Sequence, residues 1–304
     1  MAFSVLILGT TSFLGKNLAE WINNKYLVSS VSLRNPDWKK NLENYKVFIN
    51  LIGKAHDHNK TATEEDFYHV NVDLTKNIFD AFIRSEAKIF IHISSLAALE
   101  EFESLKPLTE DDSCNPNSWY GKSKREAEKW LLEQSLPENK KLIILRPPMV
   151  HGPGDKGNLG LLYKLISRGI PYPLSSFENN RSFISIDNFC FFIDEIIKSE
   201  EKLDSGIYHI SDDELISTNQ IINIIKKVEK KNTPSLSLPK FFVKGLAKLG
   251  DVLPIPLNSL RLKKMTSDLT VSNQKIKSAL GIEKLPLTAE EGLIKTIKSF
   301  KKEK

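Results

Sequence analysis

The chain has 304 residues, 40% of them hydrophobic and 27% charged, which suits a globular protein large enough for one α/β domain or a domain plus a lobe. A mild net charge of +5, with lysines spread along the whole length, argues against a nucleic-acid partner. Two cysteines (Cys114, Cys190) without CxxC or zinc spacing argue against a metal site, and the apolar runs fall short of the ~18 residues of a membrane span; with no basic leader, a cytoplasmic location is expected.

In chain order, the first predicted strand is Ser4–Leu8. It runs into "GTTSFLG" and a helix over Leu14–Asn23. The turn has the spacing Gly9-x-x-Ser12-x-x-Gly15, the outline of a phosphate cradle in which a helix N-terminus offers backbone amides to a pyrophosphate. Serine at the middle position weakens the match, because backbone must approach phosphate there. Further strands are expected at Val28–Leu33 and Val47–Leu51. A long helix follows over Glu64–Arg84, where Phe67, Val70, Leu74, Ile78 and Phe82 recur every three or four positions. The strand Ile89–Ile93 ends in Ser94-Ser95, on the ligand side of an α/β sheet, although a serine there also caps a turn. The helix Tyr120–Gln134 opens with Tyr120-Gly-Lys-Ser-Lys124; tyrosine and lysine four apart share a face, and an ammonium beside a phenol favours phenolate. On its own such a pair is common on surface helices. Leu142–Leu145 is apolar on both faces, as an interior parallel strand is. Strands separated by helical lengths give a doubly wound, Rossmann-like α/β parallel sheet.

After Arg146 the texture changes to a Pro-Gly loop, "RPPMVHGPGDKGN", then helical segments and a short strand at Gly206–Ile210. Residues 1–150 are expected to form the dinucleotide-binding domain. Residues 151–304 would form mainly a smaller substrate lobe, with some segments crossing back. The basic amphipathic stretch "PKFFVKGLAKLGDVL" reads as a helix packed on that lobe, with contact to a membrane surface as the alternative.

The glycine loop, Ser-Ser at a strand end, YxxxK and RPPxVxGPG in this order resemble the extended short-chain dehydrogenases/reductases, in their nucleotide-sugar epimerase and reductase branch. The resemblance runs from Leu6 to about Asn188, and more weakly beyond. It implies Tyr120 as acid/base at a sugar oxygen and Lys124 as the residue that lowers its pKa and binds the nicotinamide ribose. Ser95 would be the hydrogen-bond partner of the same oxygen, with Ser94 as fallback. It places Gly9, Ser12, Phe13, Leu14, Gly15, Leu51, Gly53, Lys54, Asn71 and Pro147 at the cofactor, and Asn158 and Arg181 at the nucleotide diphosphate, for which an arginine fork is suited. A surface ion pair is the plain alternative for Arg181.

Two departures from that family shape the expected function. Leu96 and Ala97 stand where its dehydratases carry an acidic pair, so dehydration is not expected. Only Asn35 to Lys46 separate Arg34 from the next strand, so the sheet should lack one strand. The second strand ends in Leu33-Arg34 rather than a carboxylate, and an arginine suits the 2′-phosphate of NADP, though Arg34 also fits a merely exposed side chain. The expectation is therefore hydride transfer at C4 of a nucleotide-activated hexose, most readily a UDP sugar. It leans to an NADP-dependent 4-ketoreductase, with a 4-epimerase holding NAD as the alternative and a non-catalytic NADP-binding regulator as a remote one. The resemblance further implies a homodimer through the Glu64–Arg84 and Tyr120–Gln134 helices.

Overall fold

The computed structural model describes residues 4–40, 42, 44–55, 61–155, 157–199, 201–231, 234, 236–253 and 258–302. In chain order the elements are β1 (Ser4–Leu8), α1 (Phe13–Ile22), β2 (Leu27–Val31), β3 (Val47–Asn50), α2 (Glu64–Tyr68), a π turn (His69–Asp73), α3 (Leu74–Arg84) and β4 (Ile89–Ile93). A 3₁₀ turn (Leu96–Ala98) then leads to α4 (Trp119–Leu132), β5 (Lys141–Arg146) and β6 (Met149–His151). The remainder is α5 (Asn158–Ser167), β7 (Phe183–Ser185), α6 (Ile186–Lys198), β8 (Gly206–His209), α7 (Thr218–Glu229), α8 (Lys240–Gly250), α9 (Ser259–Thr266), α10 (Gln274–Leu280) and α11 (Ala289–Lys302).

Six strands form one parallel sheet in the order β2-β1-β3-β4-β5-β8. Its central strands are buried on both faces: every residue of β3 and β4 is buried, and the helices cover both sides. One layer packs α1 and α6 on Val5, Ile7, Ile49 and Ile91; the other packs α3 and α4 on Leu6, Leu8, Phe48 and Phe90. Among the described residues no strand lies between β2 and β3 (Asn41 and Glu43 are outside them), so β2 is the sheet edge, as the short Asn35–Lys46 connection predicts. β2 ends at Val31, two residues before the predicted end, because only Ser4–Leu8 is there to pair with it.

The predicted strand Gly206–Ile210 forms as β8 and joins the large sheet beside β5, with Ile143 in register with Gly206 and Arg146 with His209. A second apolar cluster, built on α5, α7, α8 and α11, includes Leu159, Tyr163, Ile225, Val243, Leu293 and Ile297. The small parallel pair β6–β7, which the sequence reading does not include, touches both clusters: Ile184 belongs to the first and Phe183 to the second. No described helix is long and apolar enough to cross a membrane, and the described residues contain no His, Cys, Asp or Glu cluster able to hold a metal ion.

Candidate active site at the switch point of the sheet

The strand order reverses at β1: β2 lies on one side and β3 on the other. In a doubly wound sheet the ligand crevice opens there, beyond the carboxyl ends of the strands. The loops that follow β1 and β3 meet at that point. Gly9 has φ +97°, and a Cβ on it would come within 3.2 Å of the Leu51 carbonyl carbon. Gly15 is still tighter: a Cβ there would sit 2.2 Å from the Gly9 oxygen. These two glycines let α1 start against its own strand.

Ser12 serves this turn from inside. It is the N-cap of α1: its Oγ accepts from the Gly15 amide at 3.0 Å and donates to the Gly9 carbonyl at 2.7 Å, and its own amide donates to the same carbonyl at 3.0 Å. The amides of Phe13 and Leu14, in the first turn, face no intrahelical acceptor. A pyrophosphate therefore fits the N-terminus of α1, with Phe13 and Leu14 as donors and the Ser12 side chain turned into the loop.

The β3 loop is clamped from below. Asn50, fully buried, accepts from the Ile52 amide at 3.0 Å and lies 3.2 Å from His92 Nδ1. Burial, and then the Lys124 charge, hold His92 well below its ordinary range. Asn71, in the π turn, accepts from the Lys54 amide at 2.8 Å and donates to the Lys54 carbonyl at 3.1 Å and Ser123 Oγ at 2.8 Å. One buried amide thus fastens Leu51–Lys54 to α4. The Lys54 ammonium turns away, to Asp66 at 3.2 Å.

On α4 the sequence-predicted pair comes together with Ser95. The Ser95 hydroxyl lies beside the Tyr120 phenol and acts to lower its pKa. Lys124, buried beneath, donates from Nζ to the Ile93 carbonyl at 2.8 Å and lies 3.0 Å from where a Cβ on Gly53 would be. Burial lowers Lys124 to about 8, against a smaller opposing pull from Glu128. The expected lowering of the Tyr120 phenol by Lys124 is not what this arrangement gives. Burial raises the phenol, Glu101 adds to that, and the neighbouring Ser95 hydroxyl opposes it without prevailing. Lys124 Nζ is directed to the Ile93 carbonyl instead of the phenol.

Ser94 and Ser95, neighbours on an extended segment, point to opposite sides. Ser94 Oγ donates at 2.6 Å to Glu128, which is fully buried and also takes Arg146 Nε at 2.8 Å and Nη2 at 2.6 Å. Ser94 is thus tied to a buried ion pair, and Ser95 alone faces Tyr120. Pro147, next to Arg146, accepts from the Leu96 amide at 2.8 Å and so fixes the turn after Ser95.

Two residues the motif reading missed hold this geometry. Glu128 lies four positions after Lys124, on the same helical face, and that spacing was a readable signal. Glu101 Oε1 accepts from the amides of Asn117 and Ser118 at 2.9 and 2.7 Å and so fixes the start of α4. Gly121 is required beside it, since a Cβ there would lie 2.5 Å from the Ala97 carbonyl.

The remaining candidates lie apart. Arg34 is exposed just beyond the edge strand, and its amide faces Ser32 Oγ at 3.4 Å. Asn158 is the exposed first residue of α5. Arg181 donates from Nη1 to the carbonyls of Lys264 and Ser267 at 3.0 and 3.2 Å, rather than forming a surface ion pair. Among the described residues neither Asn158 nor Arg181 hydrogen-bonds to the Ser95–Tyr120–Lys124 group.

Residues 5–211 match the model of the NAD dependent epimerase/dehydratase family. The chain belongs to that family. It is 30% identical over 323 aligned positions to a UDP-glucose 4-epimerase from Vibrio cholerae, covering 99% of this chain and 96% of the relative. It is 26% identical to the N-acetyl-alpha-D-glucosaminyl-diphospho-ditrans,octacis-undecaprenol 4-epimerase of Escherichia coli, over 97% of this chain and 94% of that one. The solved structure of UDP-glucuronic acid 4-epimerase from Bacillus cereus, in complex with NAD, superposes with a TM-score of 0.78 over 99% of both chains, at 16% identity. That last likeness confirms the fold: a Rossmann-like parallel sheet with flanking helices.

Proposed function

We propose that this chain is an NAD-dependent 4-epimerase of a UDP-linked hexose. The observation that carries the reading is the gathering of Ser95, Tyr120 and buried Lys124 at the carboxyl end of β4, beside the glycine cradle of β1. The full-length 30% identity to a UDP-glucose 4-epimerase supports the choice of reaction. The cradle fits a dinucleotide: Phe13 and Leu14 would donate to its pyrophosphate, Gly9, Gly15, Leu51, Gly53 and Lys54 would line its path, and Lys124 with Asn71 would sit nearest the nicotinamide ribose.

The nicotinamide, when bound, supplies a reversible hydride acceptor for C4. The protein's own residues handle the proton and the position. Tyr120 takes the O4 proton as C4 becomes a ketone, and returns it after the sugar presents its other face. Ser95 would hold the same oxygen through its hydroxyl, while Lys124 would hold the nicotinamide ribose. Asn158 and Arg181 would hold the diphosphate, so that the hexose turns while the nucleotide stays. Residues 1–150 then serve the cofactor and 151–304 mainly the substrate. With Leu96 and Ala97 after Ser95, no carboxylate is at hand there to expel water, so dehydration is not part of this reading. A cytoplasmic placement and a lateral dimer through α3 and α4 go with it.

A second reading, an NADP-dependent 4-ketoreductase, is favoured by one observation: Arg34 is exposed at the end of β2, where no carboxylate is present. Incubation with UDP-glucose, UDP-galactose and their N-acetyl counterparts, without added nicotinamide, separates the two. The epimerase reading expects interconversion at C4 and NAD released on denaturation. No C4 epimer, together with NADPH oxidation by a 4-keto sugar, would establish the reductase. Neither activity would defeat both.

A further inference from the structure

Helix α8 and its surroundings present a surface unlike the rest of the molecule. Only Val243 and Ala247, one turn apart, are buried in the second apolar cluster. Phe242, Leu246, Leu249 and Leu253 recur at intervals of four, three and four, and form a stripe on another face. There Phe242 is 54% exposed, Leu249 55% and Leu253 52%, while Phe241 (79%) and Val252 (86%) flank the stripe. A third row, Lys240, Lys244 and Lys248, runs alongside, and none of the three has an ion pair among the described residues. Neighbouring α9 adds exposed Leu260 and Met265.

Charge sharpens the picture. Residues 230–267 carry eight basic side chains against one acid, Asp251, so this stretch holds +7 while the whole chain holds +5. The remainder of the molecule is weakly acidic. An exposed apolar stripe edged by a lysine row, on a helix without an acid, is the make-up of a helix that lies in the interface of an anionic bilayer. Single exposed apolar residues are common on soluble proteins; a continuous stripe of this kind marks a docking surface.

We propose that α8, with the adjoining end of α9, docks this protein on an anionic lipid surface, with Phe241, Phe242, Leu249, Val252 and Leu253 entering the headgroup region and Lys240, Lys244 and Lys248 facing lipid phosphates. A second copy of the chain is the poorer occupant. An isologous pairing of this face would bring two unpaired lysine rows together. This proposal does not depend on the reaction assigned above.

The test is flotation of the full-length protein with vesicles of phosphatidylcholine alone or with about one-third phosphatidylglycerol, at low and high salt, beside light scattering for mass. The proposal expects partition into anionic vesicles at least about tenfold above neutral ones, reduced by salt. It expects loss of binding in Phe242→Ser/Leu249→Ser, a drop of at least about tenfold in Lys240→Gln/Lys244→Gln/Lys248→Gln, and no change in mass or far-UV spectrum. Equal binding to both vesicle types, or none to either, overturns it. So does a dimer that dissociates in the Phe242→Ser/Leu249→Ser variant while vesicles are ignored.

Discussion

Replacing Glu128 with glutamine removes one charge from a fully buried ion pair. Arg146 is 1% exposed and Glu128 fully buried, and two short hydrogen bonds join them at 2.8 and 2.6 Å. Glutamine keeps the shape but turns an amide N–H₂ towards a guanidinium, and leaves the Arg146 charge with only the Cys114 sulfur at 3.5 Å. Breaking one side of such a pair costs about 3–5 kcal/mol. For a domain of this size, that is a fall in melting temperature on the order of 10 °C. Ser94 Oγ bonds the same carboxylate and so has a changed partner, and its neighbour Ser95 is the residue that lies beside Tyr120. Turnover measured well below the melting temperature should therefore fall further than stability alone explains. The double variant Glu128→Gln/Arg146→Met removes both charges and should recover most of the lost stability. Urea unfolding of the three proteins decides the matter. A single-variant loss under about 1 kcal/mol, or a double variant no better than Glu128→Gln, would refute the reasoning.

Gly15→Ala should be destabilising by about 1–3 kcal/mol and weaken nicotinamide binding, because the new Cβ lies 2.2 Å from the Gly9 oxygen and α1 must move. Gly160→Ala, inside α5 with nothing nearer than 3.7 Å, is the control and should be neutral or stabilising; thermal melts and cofactor titration of both report the difference. The lowered Lys124 pKa makes a pH prediction. Between about 8 in the folded chain and its ordinary value near 10.5, the unfolded chain binds the extra proton, so stability rises with pH across that window. Below pH 8 the buried ammonium costs a constant amount, about 3 kcal/mol, and Lys124→Met should remove both the cost and the slope. Denaturation at pH 7.5 and 10 with the two proteins measures it; parallel curves would contradict the assignment.

Much of the fold was legible because interior parallel strands carry their signal on both faces. Ile89–Ile93 and Leu142–Leu145 are runs of buried residues with no alternation to misread. The missing strand was legible from chain length alone, since Asn35–Lys46 is too short for a helix and a strand. The place of Gly206–His209 beside β5 depends on a crossover of about sixty residues, and no local pattern encodes it. At the site, spacing brought out Tyr120 and Lys124, and the family resemblance put Ser95 ahead of Ser94; the backbone sends Ser94 to Glu128 and turns Ser95 towards Tyr120. Glu101 left no trace in sequence, because its amide partners lie sixteen and seventeen positions away across a loop. The glycine turn with a serine at its centre is explained by capping: Ser12 is a structural part of the cradle rather than an obstruction. The α8 stretch was read correctly as a helix on the lobe, yet its exposed stripe is visible only once Val243 and Ala247 are seen to be its whole buried seam.

The most direct test of the proposed chemistry is C4 interconversion of a UDP-hexose by Tyr120→Phe, with Ser95→Ala beside it, each checked for unchanged melting temperature and cofactor content. If Tyr120 moves the O4 proton, its removal should lower turnover by about 10²–10⁴-fold with little change in substrate KM, and Ser95→Ala should lower it less. Turnover of Tyr120→Phe within a few-fold of the parent would contradict the account.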